Sequence, residues 1–353
     1  MIDAQEFILA ALNRGFSFFT GVPCSFLKPL INYVISHQGL KYVTAASEGE
    51  ALGIAGGAYL GGKRTVVMCQ NSGLGNMVNP LTSLNYPFRL PALLIVTLRG
   101  EPGLNDEPQH ELMGQITENL LNTLGVGWEY FPGTAPEIEP LFQRLEAYFD
   151  KHSLPFALVM KKDMVAKIDL ASQDTASETG QGAISGRTGW ERAGRLPRIE
   201  ALRLIRANLS ARDALIATTG KTGRELYTLG DSENQLYVVG SMGCASGIGL
   251  GVQLTLPRQR VVVLDGDGAA LMKLGTLATI GHYRPAPFIH IILDNEVYDS
   301  TGGQPTLSGT VDFAKVALAV GYSRAYRIIT PDELVEALGQ AVQEAGPVLL
   351  HVK

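Results

Sequence analysis

The strongest constraint in this sequence is its rhythm. Short apolar runs of buried-strand character alternate with helical stretches, twice over, on either side of a polar, glycine-rich interruption. In the first block an amphipathic stretch, Ala4 to Asn13, leads into FSFFTGVP. KYVTAA follows, then a small-residue helix from Glu48 to Leu60, then TVVMCQ, ALLIVTL and FALVMK, with helical segments such as Pro140 to Tyr148 between them. Unbroken apolar strands separated by helices belong in a parallel sheet covered on both faces. From Ala166 to Arg195 the rhythm dissolves into ASQDTASETGQGAISGRTG, too long for an ordinary loop and read as an interdomain linker. A second block opens with a helix over Ile199 to Leu209 and runs through ALIATTG, LYVVGSMG, VVVLDGDG, FIHIILDN and PVLLHVK. The expected architecture is α/β: two doubly wound parallel-sheet domains, 1–165 and 196–353, joined by a linker over 166–195, with no middle domain.

Composition agrees and narrows the function. A length of 353 residues suits two such domains, and 46% hydrophobic against 18% charged residues excludes wholesale disorder. The net charge of −5 comes without any basic block, which argues against a nucleic-acid or anionic-membrane partner. Cys24, Cys69 and Cys244 are far apart and form no CxxC, so neither a disulfide framework nor a structural zinc site is expected. The apolar stretch Leu90 to Leu98 is too short to span a bilayer. MIDAQEF lacks the basic start of a signal peptide, so a cytoplasmic location is expected. The 40 glycines, about 11% against an average of about 7%, gather just after the apolar runs, where strands turn into loops and helices.

The sharpest chemical signal is VVVLDGDGAALM followed by FIHIILDNEVYDSTGGQ. Asp267 and Asn295 each fall at the C-terminal end of an apolar strand, the edge where open α/β sheets bind ligands. Gly266 and Gly268 permit close backbone approach, and Ala269 opens a helix whose N-terminus suits phosphate. A carboxylate, an amide oxygen and a backbone carbonyl together suit Mg²⁺. Gly-Asp-Gly alone is also an ordinary strand-to-helix turn; the paired Asp-Asn at the next strand's end favours a metal–diphosphate site.

GDG, a gap, then Asn followed by Glu-Val-Tyr is similar to the signature of the thiamine diphosphate-dependent decarboxylase family. The resemblance implies that Asp267, Asn295 and the carbonyl of Val297 ligate Mg²⁺, with Asp294 standing where many members carry a second Asn. It also implies a glutamate opening a small-residue helix, and ASEGEALGIAGGAYLGG offers Glu48 there. Such a carboxyl exchanges a proton with the pyrimidine N1′ of the cofactor. Glu50 reads as an acid of the first helical turn, favoured by the dipole. GSMG, Gly240 to Gly243, resembles the segment that supports the folded cofactor: the Gly240 carbonyl as acceptor, Ser241 beside it and Met242 as apolar wedge, with Thr219 among the cofactor contacts. The family places the halves of a site on different subunits, so the resemblance implies at least a homodimer. The apolar helix Ala51 to Leu60 would suit a partner surface.

TGVPCSFLKPL, RGEPGLNDEPQH, TTGKTGREL and STGGQPT look most like the branch of that family acting on 3-phosphonopyruvate, with the sulfopyruvate branch next. Either substrate is a 2-keto acid with a strong anion at C3. Candidate groups for it are Ser25, Asn71, Ser72, Arg99, His110 and Lys221, with Ser25 and His110 also as proton-handling residues. Each alone also suits an ordinary surface ion pair or loop hydrogen bond. Lys28 reads as a solvated helix charge, Asp106 and Glu107 as loop-ordering acids, and His290 and His351 as strand-core residues. The alternatives are a carboligase, in which a second carbonyl compound captures the same intermediate, and a non-catalytic phosphate-binding α/β protein, for which Glu48 would have no use.

Overall fold

A computed structural model describes residues 1–170, 182–186 and 195–353. The chain forms two compact units, Met1–Thr175 and Ala176–Lys353. In the first, six strands run β1 Phe16–Gly21, β2 Lys41–Thr44, β3 Arg64–Gln70, β4 Leu93–Thr97, β5 Gly127–Tyr130 and β6 Phe156–Met160. They make one sheet in the order β2-β1-β3-β4-β6-β5, parallel throughout. β4 and β6 are buried along their full length, which explains why they appear in the sequence as continuous apolar runs. Phe7, Phe16, Phe131 and Phe142 gather in the core under one face, with tilted ring contacts such as Phe7–Phe131 at 4.5 Å.

The helix Glu48–Leu60 packs against β1 and β3 and on the helix Leu74–Pro80. Residues 51–58 are buried inside their own unit. The expectation that this apolar helix seeks a partner surface is therefore corrected. Its small residues let it sit close on the sheet.

The second unit contains β7 Ala183–Gly186, β8 Ala214–Ala217, β9 Gln235–Tyr237, β10 Val261–Gly266, β11 Phe288–Leu293, the short β12 Val297–Tyr298 and β13 Gln304–Pro305, β14 Arg324–Ile328 and β15 Pro347–Val352. The main sheet has the order β7-β14-β15-β11-β10-β8-β9, again parallel, while β12 and β13 form a separate antiparallel hairpin. Much of the expected 166–195 linker lies outside the described residues, but at 183–186 the expectation is corrected. There the chain is an edge strand, paired with β14 from Arg324↔Ala183 to Arg327↔Gly186. An edge strand needs little apolar content, because only one neighbour and part of one face bury it.

Leaving out β7, the second sheet repeats the strand order of the first, β9-β8-β10-β11-β15-β14 against β2-β1-β3-β4-β6-β5. In each, the chain first steps outward and then returns to the other side of the starting strand. The crevices between β1 and β3 and between β8 and β10 are the topological switch points where such sheets take ligands.

Candidate active site

In the second unit, Gly266 at the end of β10 is in register with Leu293 at the end of β11, so Asp267 and Asp294 leave the sheet side by side. Asp267 heads the helix Asp267–Met272. Its Oδ2 accepts from the Thr306 hydroxyl and, at 3.0 Å, from the Ser308 hydroxyl. Burial pushes the Asp267 carboxyl up, the negative charge of Asp294 adds to this, and the two hydroxyls act the other way. Among the described residues no cation pairs with Asp267, whereas Asp294 takes His351 at 2.7 Å and Lys353 at 3.1 Å. Burial pushes Asp294 up too, but its bonds to His351 and Ser308 and the charge of Lys353 outweigh that and hold it at about 2. His351 is lowered by its own burial, against the pull of Asp294. His351 and His290 lie in the strand core as expected, and both bind carboxylates: His290 lies 3.3 Å from Asp265 and 3.1 Å from the Tyr322 hydroxyl.

A cavity of about 930 Å³ opens at this switch point. Thr219, Lys221, Met242, Gly266, Asp267, Gly268, Ala269, Asn295 and Val297 all line it, which brings together most of the residues expected to hold the cofactor. Gly240 and Ser241 immediately precede Met242, and Ser241 takes a left-handed φ of 49°. Thr219 is tied back to this segment, its hydroxyl donating to the Val239 carbonyl at 2.7 Å. Gly268 keeps this wall close-packed: a Cβ there would lie 2.4 Å from the Tyr298 ring and 3.2 Å from Met242 Cε.

The donor set fits a hard divalent cation. Thr306 N–H bonds the Glu296 carbonyl, so 296 and 306 form the bonded pair of the hairpin and Val297↔Pro305 is a non-bonded pair. The Val297 carbonyl therefore faces away from β13, and its N–H goes to Asn295 Oδ1 at 3.2 Å. Asp267, Asn295 and Val297 line the same cavity, and between them they offer a carboxylate, an amide oxygen and a backbone carbonyl, an all-oxygen set of the kind Mg²⁺ takes. Lys221 sits here rather than free: its ammonium contacts Asp299 at 2.7 Å, and Arg198 reaches the same carboxylate at 2.9 Å.

The first unit carries a second cluster at the matching edge. Arg99 follows β4, and its guanidinium grips Asp106 with two nitrogens, Nε at 2.7 Å, while Nη1 donates to Ser25 Oγ at 3.3 Å. It also lies over the Phe26 ring, 4.8 Å from the centroid. The Arg99 fork holds the Asp106 carboxyl well below the usual carboxylate range, helped by the N–H groups of Gly100 and Glu107. Asp106 is thus more than a loop-ordering acid; it fixes the guanidinium of Arg99, one of the expected substrate groups of this unit. Lys28, expected to be solvated, is exposed and pairs loosely with Asp169 at 3.3 Å.

Asn71 is fully buried: its amide nitrogen donates to the Arg99 carbonyl at 2.8 Å and to Thr117 Oγ1 at 3.0 Å, bracing the end of β3 against that of β4, while its Oδ1 has no partner among the described residues. Ser72 stays exposed and accepts from Gln70 at 2.8 Å; the same Gln70 nitrogen lies 3.4 Å from His110 Nδ1. Gln70 carries no motif, and only the fold makes it a link between Ser72 and His110.

Glu48 is the first residue of its helix, after the Ser47 cap. Its Oε2 accepts from Asn76 Nδ2 at 2.7 Å, and Gly73 makes room for it: a Cβ there would lie 2.5 Å from Glu48 Cγ. Glu50 lies in the first helical turn, as expected, and it is buried there, with its carboxylate taking the Ala46 N–H at 2.6 Å. That use of Glu50 in the cap leaves Glu48 as the more open acid.

The two sheets, with glycine-rich turns at both switch points, define a cofactor-binding α/β enzyme fold. The model of the thiamine pyrophosphate enzyme N-terminal TPP binding domain matches residues 2–120, and that of the C-terminal TPP binding domain matches residues 220–352. The chain is 46% identical over 352 residues to a phosphonopyruvate decarboxylase of Streptomyces viridochromogenes, covering 100% of this chain and 88% of that relative. It is 27% identical to a sulfopyruvate decarboxylase of Methanosarcina acetivorans, over 96% of this chain and 87% of that one. A crystal structure of benzoylformate decarboxylase from Polynucleobacter necessarius superposes with a TM-score of 0.78 at 15% identity, covering 100% and 98% of the two chains, a likeness of fold. The chain belongs to the thiamine pyrophosphate enzymes and, within them, to the phosphonopyruvate decarboxylase family. No helix among the described residues is long and apolar enough to cross a membrane.

Proposed function

We infer that this chain is a carbon–carbon lyase that converts 3-phosphonopyruvate to phosphonoacetaldehyde and CO₂ with thiamine diphosphate. The substrate follows from the full-length likeness to a phosphonopyruvate decarboxylase. The assignment of roles rests on one geometric observation, the convergence of Asp267, Asn295 and Val297 on the switch-point cavity. Bound there, thiamine diphosphate supplies the nucleophilic carbon and the electron sink that allow CO₂ to leave. Asp267, Asn295 and the Val297 carbonyl would hold Mg²⁺ against the diphosphate, over the N-terminal turn of Gly266–Ala269. Met242 would give the ring system an apolar support, Gly240 and Ser241 would shape the backbone beside it, and Thr219 lines the same cavity.

In the first unit, Glu48 exchanges a proton with the pyrimidine N1′. Arg99, fixed by Asp106, presents its remaining N–H to the anionic end of the substrate, with Ser25 and Ser72 as hydroxyl partners. His110, backed by Gln70, returns the proton that replaces CO₂ on the carbonyl carbon. Lys221, paired with Asp299, belongs with the diphosphate rather than with the substrate. The working enzyme is at least a homodimer that completes each site from two subunits, as the family resemblance implies, and its setting is cytoplasmic.

CO₂ release from a panel of C3-substituted pyruvates, with Mg²⁺ and thiamine diphosphate supplied, tests the substrate. Phosphonopyruvate should lead, with sulfopyruvate the nearest competitor. Faster turnover of sulfopyruvate or pyruvate would overturn the assignment, and carbon–carbon coupling in place of aldehyde release would make the chain a carboligase.

A further inference from the structure

The hairpin β12–β13 returns the chain to Asp267 and delivers two hydroxyls to it. Thr306 Oγ1 donates to Asp267 Oδ2. Ser308, which is buried, lies 3.0 Å from the same oxygen, 2.7 Å from Asp294 Oδ1 and 2.9 Å from Thr306 Oγ1. Each hydroxyl has one proton to give. Ser308 can therefore serve only one of the two carboxylates at a time. Asp294 can spare it: its Oδ1 also takes the Glu296 N–H at 3.0 Å, and its Oδ2 takes His351 and Lys353. Asp267 has no such cationic support among the described residues, and both hydroxyls fall on a single oxygen, which fixes the plane of its carboxyl group.

We propose that Thr306 and Ser308 are positioning residues that set the Asp267 carboxylate for the divalent cation, with Ser308 as an adjustable link between Asp267 and the Asp294–His351–Lys353 group. The proposal rests on the metal reading above. Hydrogen-bond partners of ligating groups commonly govern affinity by about 10–100-fold. Thr306, whose proton is committed to Asp267, should matter more than Ser308.

The test is calorimetric titration of Mg²⁺ into the full chain saturated with thiamine diphosphate. Thr306→Val should weaken Mg²⁺ by about 10–100-fold and Ser308→Ala by roughly 10-fold, while Thr306→Ser, which keeps the hydroxyl, stays within about 3-fold of the parent. At saturating Mg²⁺, kcat and the KM for the keto acid should return to within about twofold, because these side chains do not touch the reacting atoms. Unchanged Mg²⁺ affinity in Thr306→Val and Ser308→Ala, with the parent binding Mg²⁺ normally, would overturn the proposal and leave the metal site standing. An equal loss in Thr306→Ser would assign the effect to the methyl group and overturn it as well. A parent that binds no Mg²⁺ would remove the metal reading itself. Should Thr306→Val fail to fold, the buried but small change Ser308→Ala decides alone.

Discussion

The two units solve the same topological problem with opposite electrostatics. β1, β3 and β4 stand in the same sheet order as β8, β10 and β11, and candidate site residues follow strand ends on the same side of each sheet's switch point. After β4, Asp106 folds back on Arg99, and the carboxyl is held low by a cation from its own loop. After β10, Asp267 is pushed up by burial and meets two hydroxyls and the Gly268 N–H, but no cation among the described residues. One unit presents a cation that its own acid has already oriented; the other presents an acid still short of positive charge. The first arrangement suits an anionic substrate and the second a metal-bound diphosphate. On the proposed assignment, a shared fold sets where ligands would bind and the local charge balance sets which ligand each edge would take.

The largest expected effect breaks the second unit alone. Asp267→Ala should lower thiamine diphosphate affinity by about 10³-fold or more, since losing the bridging cation costs several kcal/mol and each 1.4 kcal/mol is tenfold. Calorimetry with and without Mg²⁺ reads this directly; a variant that retains the cofactor in a Mg²⁺-dependent way would refute the ligand assignment. Next comes the cation of the first unit. Pyruvate offers no acceptor at C3 to the Arg99 N–H groups that Asp106 and Ser25 leave free, so phosphonopyruvate should be preferred by about 10³-fold in kcat/KM. Arg99→Met should remove most of that preference by lowering phosphonopyruvate turnover while shifting pyruvate less than about tenfold. Equal use of both substrates by the parent would mean that Arg99 does not read the C3 group.

Glu48→Gln is the cleanest separation of the two units. It keeps the size and hydrogen-bonding capacity of the side chain and removes only the exchangeable carboxyl proton. Turnover should fall on the order of 10²-fold or more, with thiamine diphosphate binding preserved. Decarboxylation near the parent rate would eliminate the proposed proton exchange.

What the sequence disclosed follows the same division between strand ends and side-chain partners. β3, β4, β10 and β11 are legible because a parallel strand covered on both faces must be apolar throughout; Asp267 and Asn295 stand out as candidates because they follow such runs, and Glu48 because it opens a small-residue helix at a family-like position. β7 is not, because AISG at a sheet edge carries no apolar period. Asp106, Gln70, Thr306 and Ser308 are not legible either: each acquires meaning only when the fold brings it to Arg99, His110 or Asp267. Asn71 shows the same limit, since an amide after a strand looks alike in sequence whether it faces a ligand or, as its nitrogen does here, braces a buried carbonyl.

The smallest expected effect uses two glycines that follow equivalent strands, Gly73 after β3 and Gly268 after β10. A Cβ at Gly73 would meet Glu48 at 2.5–2.7 Å, the far end of a side chain that can shift. A Cβ at Gly268 would meet the Tyr298 ring at 2.4 Å and Met242 Cε at 3.2 Å, both on the wall of the cavity. Gly73→Ala should therefore displace the Glu48 carboxyl and cost roughly tenfold in kcat, since a small misplacement of a proton-transfer group is felt in rate. Its thiamine diphosphate affinity should be unchanged. Gly268→Ala should do the reverse, weakening the cofactor by about tenfold while the kcat of the loaded enzyme stays close to the parent value, because overpacking of this kind costs about 1–3 kcal/mol. Measured side by side, cofactor affinity by calorimetry and kcat at saturating cofactor should move in opposite members of the pair. Loss of both quantities in both variants would show that the two edges do not act separately, and would break the division of labour between the units.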